Sequence, residues 1–119
     1  YDETALASGT PRHVIADGTI ILSGAALVIF GGGTPTGDFG GAIIQTSTTG
    51  NMNMSNAGDV MTITDTMDQV VLTFDIEPLS NNPNESYTRN PDITGDFEQH
   101  SASSPLLFSP GTRIDGSSF

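Results

Sequence analysis

The sequence predicts an all-β sandwich, and three observations carry the prediction. Apolar and polar residues alternate with period two along both arms of the stretch 60–76. Ala25-Ala26-Leu27-Val28-Ile29-Phe30 is an unbroken apolar run between Gly24 and Gly31, the mark of a short strand buried on both faces. Nowhere do apolar residues recur at i, i+3, i+4 and i+7 over a length that would make a helix. Short strands at close spacing, with turn chemistry between them, pack as two sheets face to face.

Taken in order, Tyr1 to Pro11 is polar and punctuated by Gly9 and Pro11, so residues 1–11 read as a loop or arm. Arg12 to Ile15 reads as a short strand, Asp17-Gly18 as a tight turn, and Thr19 to Leu22 as its β-rich return. The run Ala25–Phe30 follows as the expected centre of the core. A glycine-rich loop over 31–41 leads into a strand from Ala42 to Ser47, and a loop rich in Asn, Thr and Met covers 48–58. Beyond it, Met61 and Ile63 face one side while Val60, Thr62 and Thr64 face the other. The chain turns at 65–69, and Val70, Leu72, Phe74 and Ile76 then alternate against Val71, Thr73 and Asp75, giving the most strongly patterned element of all. Residues 77–95 form a long connection with a short extended piece at 86–89, and Phe97 to His100 a further short strand. The stretch 101–119 is a C-terminal extension anchored by Leu106-Leu107-Phe108.

At 119 residues the chain reads as one domain spanning 1–119. A chain of this size buries roughly two-thirds of its unfolded surface, enough for a real core. Fourteen acidic residues stand against three arginines and no lysine, for a net charge of -11. Such a surface repels phosphate backbones, whose binding needs Lys and Arg to displace counterions, so direct nucleic-acid contact is not expected. It repels anionic headgroups too, and no apolar run reaches the ~18 residues of a membrane-spanning helix, so membrane insertion is not expected. With 35% hydrophobic residues gathered in blocks and only 14% charged, folding is expected over disorder. Zero cysteines leave no disulfide framework and no thiolate chemistry. The acidic, lysine-free, Ser/Thr/Asn/Gly-rich composition points to an extracellular or cell-surface setting. The first residue, Tyr1 in place of Met, points to a processed product or a piece of something longer.

Four segments carry a family resemblance. Ser55-Asn56-Ala57-Gly58-Asp59-Val60-Met61-Thr62-Ile63-Thr64-Asp65 enters a strand through an N-x-G-D pattern. Glu85-Ser86-Tyr87-Thr88-Arg89-Asn90-Pro91-Asp92, followed by Gly95, Phe97 and His100, matches an S-x-x-R-x-P-D pattern. Gly24 to Gly31 supplies a core strand, and Ser109-Pro110-Gly111-Thr112 a closing turn. In this order they resemble the lamin tail domain, an immunoglobulin-like module at the end of nuclear lamins that is also widespread in secreted bacterial proteins. The resemblance implies an immunoglobulin-like β-sandwich whose signature residues here are Asn56, Gly58, Asp59, Ser86, Arg89, Pro91, Asp92, Pro110 and Gly111. Each fits its chemistry. Gly58 lets the chain enter a strand from a tight turn, Arg89 suits a carboxylate or strand-end carbonyls through its planar fork, and Pro91-Asp92 pre-sets a turn. The family's opening strands have no counterpart here, so the sandwich is expected to be incomplete at its N-terminal edge. Either those strands have diverged, or another segment or a neighbouring subunit supplies them by strand addition.

Catalytic and cofactor motifs are sparse in this chain. Gly32 and Gly37 stand at P-loop spacing, but Asp38-Phe39 replaces the required Lys and Ser/Thr. Gly31-x-Gly33 is not followed by a helix that could receive a pyrophosphate. His13 and His100 are far apart, with no Gly-x-Ser-x-Gly elbow, so no hydrolytic triad and no zinc site is expected. Calcium is the one cofactor with candidate ligands: Asp65 and Asp68, with Asp59, gather near a hairpin end but lack D-x-D-x-D-G spacing, and a solvated acidic turn is the favoured reading. Asn53-Met54-Ser55 and Asn84-Glu85-Ser86 match glycosylation sequons. Met52, Met54, Met61 and Met67 gather around the hairpin as core or loop filler.

The functional expectation is a non-catalytic structural or interaction module of a secreted or cell-surface bacterial protein, tethering or positioning a larger assembly through a protein partner. Two alternatives stand beside it: a subunit of an extracellular filament or surface layer completed by strand donation, and a calcium-dependent adhesive or carbohydrate-binding β-sandwich.

Overall fold

The computed structural model describes residues 1–79 and 84–119; the part of the expected 77–95 connection at 80–83 lies outside the described residues. Strand dominates and helix is scarce. The elements are α1 (Glu3–Ser8), β1 (Leu27–Phe30), β2 (Ile43–Thr46), β3 (Val60–Thr64), β4 (Val70–Asp75), β5 (Tyr87–Asn90) and β6 (Asp96–Gln99), with 3-10 turns at Glu77–Leu79 and His100–Ala102. Among the described residues the strands pair two by two, as β1-β2, β3-β4 and β5-β6. The backbone gathers into two compact units. The first holds Tyr1–Ile15, Phe30–Gly33 and Thr46–Asn82, the second Ala16–Ile29, Thr34–Gln45 and Pro83–Phe119.

In the first unit the expected arm is a helix. Asp2 caps it, its Oδ1 accepting from Ala5 N–H at 2.6 Å, and Gly9 ends it in the left-handed conformation at φ 68°. Six residues are too few to display a helical apolar period, which is why patterning gives a loop. The helix is held by long-range contacts. Arg12 Nε donates to Asp2 Oδ2 at 2.6 Å, and Glu3 N–H donates to Asp59 Oδ1 at 2.9 Å. Tyr1 exchanges two backbone hydrogen bonds with Thr62, at 2.8 and 2.9 Å, and so lies along the edge of β3.

The β3-β4 hairpin forms as the alternation requires. Met61 faces Phe74 and Ile63 faces Leu72 across it, while Ile76, just past β4, is buried. Val70 departs from its expected face. The register slips between Ile63 and Thr64, Val71 becomes the extra residue of a bulge, and both valines are exposed. At the turn, Asp65 Oδ1 accepts from Met67 N–H and Gln69 N–H at 2.8 and 2.9 Å, so this carboxylate is engaged in holding the turn itself.

Arg12–Ile15 and Thr19–Leu22 do not form the expected hairpin. Side chains of β2 and of the loop after it take the backbone groups a strand partner would use: Gln45 Oε1 accepts from Ala16 N–H at 3.1 Å, and Thr48 Oγ1 from Val14 N–H at 3.2 Å. The run expected at the centre of the core yields β1, but all four β1 residues are half-buried, because among the described residues only β2 flanks it. Among the described residues, Ala5 and Ile76 are the buried apolar side chains.

In the second unit, β5 and β6 pair antiparallel with Arg89 opposite Phe97. The connecting turn puts Ile93 at φ 70°, a conformation that crowds a β-branched side chain, while leaving it 69% exposed. Ile93→Asn is expected to stabilise the protein by about 1 kcal/mol, since asparagine tolerates this conformation and little buried area is lost. A rise in the urea midpoint at unchanged slope is the check; no rise would mean that the turn bears no strain.

Candidate functional site

The signature residues divide between the units. In the first, Gly58 holds φ 134° with its α-carbon face against Glu77, where a Cβ would come within 2.9 Å of the Glu77 Cβ. Asp59, buried, is a junction: Oδ1 accepts from Glu3 N–H and Val60 N–H, Oδ2 from Ser55 N–H, and its carbonyl from Ile76 N–H at 3.0 Å. Asn56 lies exposed in the turn ahead of them. These residues join α1 to the hairpin. Asp59 is thus committed to backbone amides, and among the described residues no group of three or more His, Asp or Glu side chains could hold a metal ion.

In the second unit, Ser86, Arg89, Asp92 and Pro110 line one open groove of about 420 Å³, together with Tyr87, Ile93, Phe108, Ser109 and Phe119. The elements explain the convergence. Strand β5 delivers Tyr87 and Arg89, the turn after it Asp92 and Ile93, and the C-terminal stretch closes the other wall because Leu107 O accepts from Ser86 N–H at 2.8 Å. Arg89 takes the strand-end carbonyl of its two expected partners: Nη1 donates to Gly95 O at 2.6 Å, and the guanidinium stacks 4.1 Å from the Phe97 ring centroid. Asp92 Oδ1 accepts from Ile114 N–H at 3.0 Å and ties the tail to the turn. Pro91 stands exposed at the start of that turn. Gly111, at φ 76°, brings the closing turn against the loop at 39–42. Nearby, a Ser117 hydroxyl and amide both donate to Asp115 and hold its carboxyl below the usual range.

Leu106, Leu107 and Phe108 are exposed, so they do not anchor the tail by burial as the apolar run implies. What anchors it is His100, fully buried at the end of β6. Its Nδ1 lies 2.9 Å from Leu106 O and its Nε2 2.9 Å from Ser109 Oγ. A carbonyl can only accept, so Nδ1 carries the ring proton, and in the neutral ring Nε2 accepts from the serine hydroxyl. This pairing is not legible in the sequence, because the nine-residue separation follows no strand or helix period. The second unit has no buried apolar side chain among the described residues, and His100 is its most buried group.

No family model, no curated protein and no solved structure matches this chain.

Proposed function

We propose that the chain is a structural and interaction module of the lamin-tail kind, an immunoglobulin-like sandwich of an extracellular or cell-surface protein that tethers or positions a larger assembly. The observation that carries this reading is where the second unit keeps its apolar side chains. Ile20 and Leu22 are 72% and 70% exposed, and Ile93 and Phe108 at the groove are 69% and 64% exposed. Apolar surface of this density marks a place where another protein sits. The charge of -11 selects against nucleic acid or an anionic membrane as that partner. Support for the lamin-tail reading is the convergence of Ser86, Arg89, Asp92 and Pro110 on one groove, residues that the resemblance singled out from two separate segments.

A second reading, self-assembly, draws on Thr19–Leu22, a β-prone, uncharged segment, exposed at Ile20, Ile21 and Leu22, that belongs to none of the three described ladders. Light scattering on the purified chain, with and without denaturant, separates the two. The module reading expects a mass of 12.4 kDa in native buffer. A mass several-fold higher that falls only on unfolding would replace it with self-assembly.

A further inference from the structure

We propose that Ser109 is an acyl-acceptor site, a serine activated by His100 that takes one acyl group from a neutral activated ester. This goes beyond the contact role and rests on different observations. The geometry is that of an activated hydroxyl: Ser109 Oγ donates to His100 Nε2 at 2.9 Å, and the imidazole is fixed in the required tautomer by its Nδ1–H bond to Leu106 O at 2.9 Å. Full burial of His100 keeps water from competing for Nε2, while Ser109 itself is half-buried and lines the open groove. Nucleophile, base and orienting carbonyl therefore stand in series, with space beside the nucleophile for a reacting group.

In the step, the Ser109 Oγ–C bond forms and the ester C–O bond breaks. The hydroxyl proton passes to His100 Nε2 and from there to the departing alkoxide, which leaves as the alcohol. The acyl group then stays. The site proposed is thus a modification site, and its product is the Ser109 ester.

The groove selects the ester. Ile93, Phe108 and Phe119 offer an apolar wall for a short aliphatic acyl chain. Arg89, committed to Gly95 O and the Phe97 ring, is not free to receive an anionic substrate, and the net charge repels one.

The test is incubation of the whole chain with p-nitrophenyl butyrate, followed by intact-mass measurement and peptide mapping. Ser104, whose hydroxyl donates to Ile114 O at 2.9 Å, is the internal comparison. Ser109 is expected to acylate at least about tenfold faster than Ser104, as general-base assistance provides, and Ser109→Ala to lose the fast adduct. Equal rates at the two serines, a fast adduct that persists in Ser109→Ala, or equal acylation of Ser109 in the denatured chain would each overturn the proposal. The wild-type mapping decides even if the alanine variant folds poorly.

Discussion

Asp2→Ala is expected to destabilise the first unit by about 3 kcal/mol, combining the loss of a helix cap, about 1 kcal/mol, with that of a charge-assisted bond in a buried setting, about 2 kcal/mol. The Asp2 side chain is only 2% exposed, so its bonds to Ala5 N–H and Arg12 Nε are shielded from solvent competition. Arg12, 23% exposed, can rehydrate once released, which holds the cost below that of breaking a fully buried pair. Asp2→Asn keeps a cap acceptor and loses the charge-assisted bond, so it is expected to cost about 2 kcal/mol. Urea unfolding followed by circular dichroism reads both; equal effects of the two variants would mean the cap contributes nothing, and an unchanged stability in Asp2→Asn would mean the ion pair contributes nothing. The same residue sets a pH dependence. Burial pushes its carboxyl up, but the hydrogen bonds from Arg12 and Ala5 and the positive charges of Arg12 and the Tyr1 amino group outweigh this, and its pKa ends below 3.8. With the folded-state pKa depressed, the stabilisation is present above about 3.8 and is lost as pH falls through the lower folded value. Wild type is expected to lose stability more steeply there than Asp2→Asn does.

Gly111→Ala is the second large effect, about 3 kcal/mol, and it acts on the other unit. At φ 76° an alanine sits in the left-handed region, worth about 1–2 kcal/mol. Its methyl would also stand 2.4 Å from Phe39 O and 2.9 Å from the Ala42 Cβ, so backbone must shift, at a further cost of about 1–3 kcal/mol. Gly18→Ala is the comparison: it shares a φ of 76° but meets nothing within 4 Å, so it isolates the conformational part. Similar losses from both substitutions would refute the steric share.

How far the sequence reaches is best seen by contrasting β3-β4 with the first eleven residues. Alternation of Leu72, Phe74 and Ile76 with Thr73 and Asp75 is local, and the hairpin follows from it directly. The helix at Glu3–Ser8 has no such period, although its caps were readable: Asp2 ahead of Glu3, and Gly9 at the end. The face of Val70 does not follow from alternation, because a bulge is a two-strand property, invisible in either strand alone. In the groove, Ser86, Arg89, Asp92 and Pro110 are singled out by the family resemblance and not by any period of the chain. His100 was not, since its meaning depends on the carbonyl of Leu106 and the hydroxyl of Ser109, which meet it only once the tail folds back.

The pairing of Tyr1 with Thr62 carries one more consequence, for isotope exchange. The Thr62 amide donates to Tyr1 O at 2.9 Å, on the edge of β3 away from β4. Its proton can therefore exchange with solvent deuterium only when the first residue lifts away, and that residue is followed at once by Asp2, whose grip on Arg12 and Ala5 resists the lift. A single amide in the middle of a strand thus serves as a clock for the opening of the helix, separable in rate from amides that face β4 and wait for the hairpin itself to part.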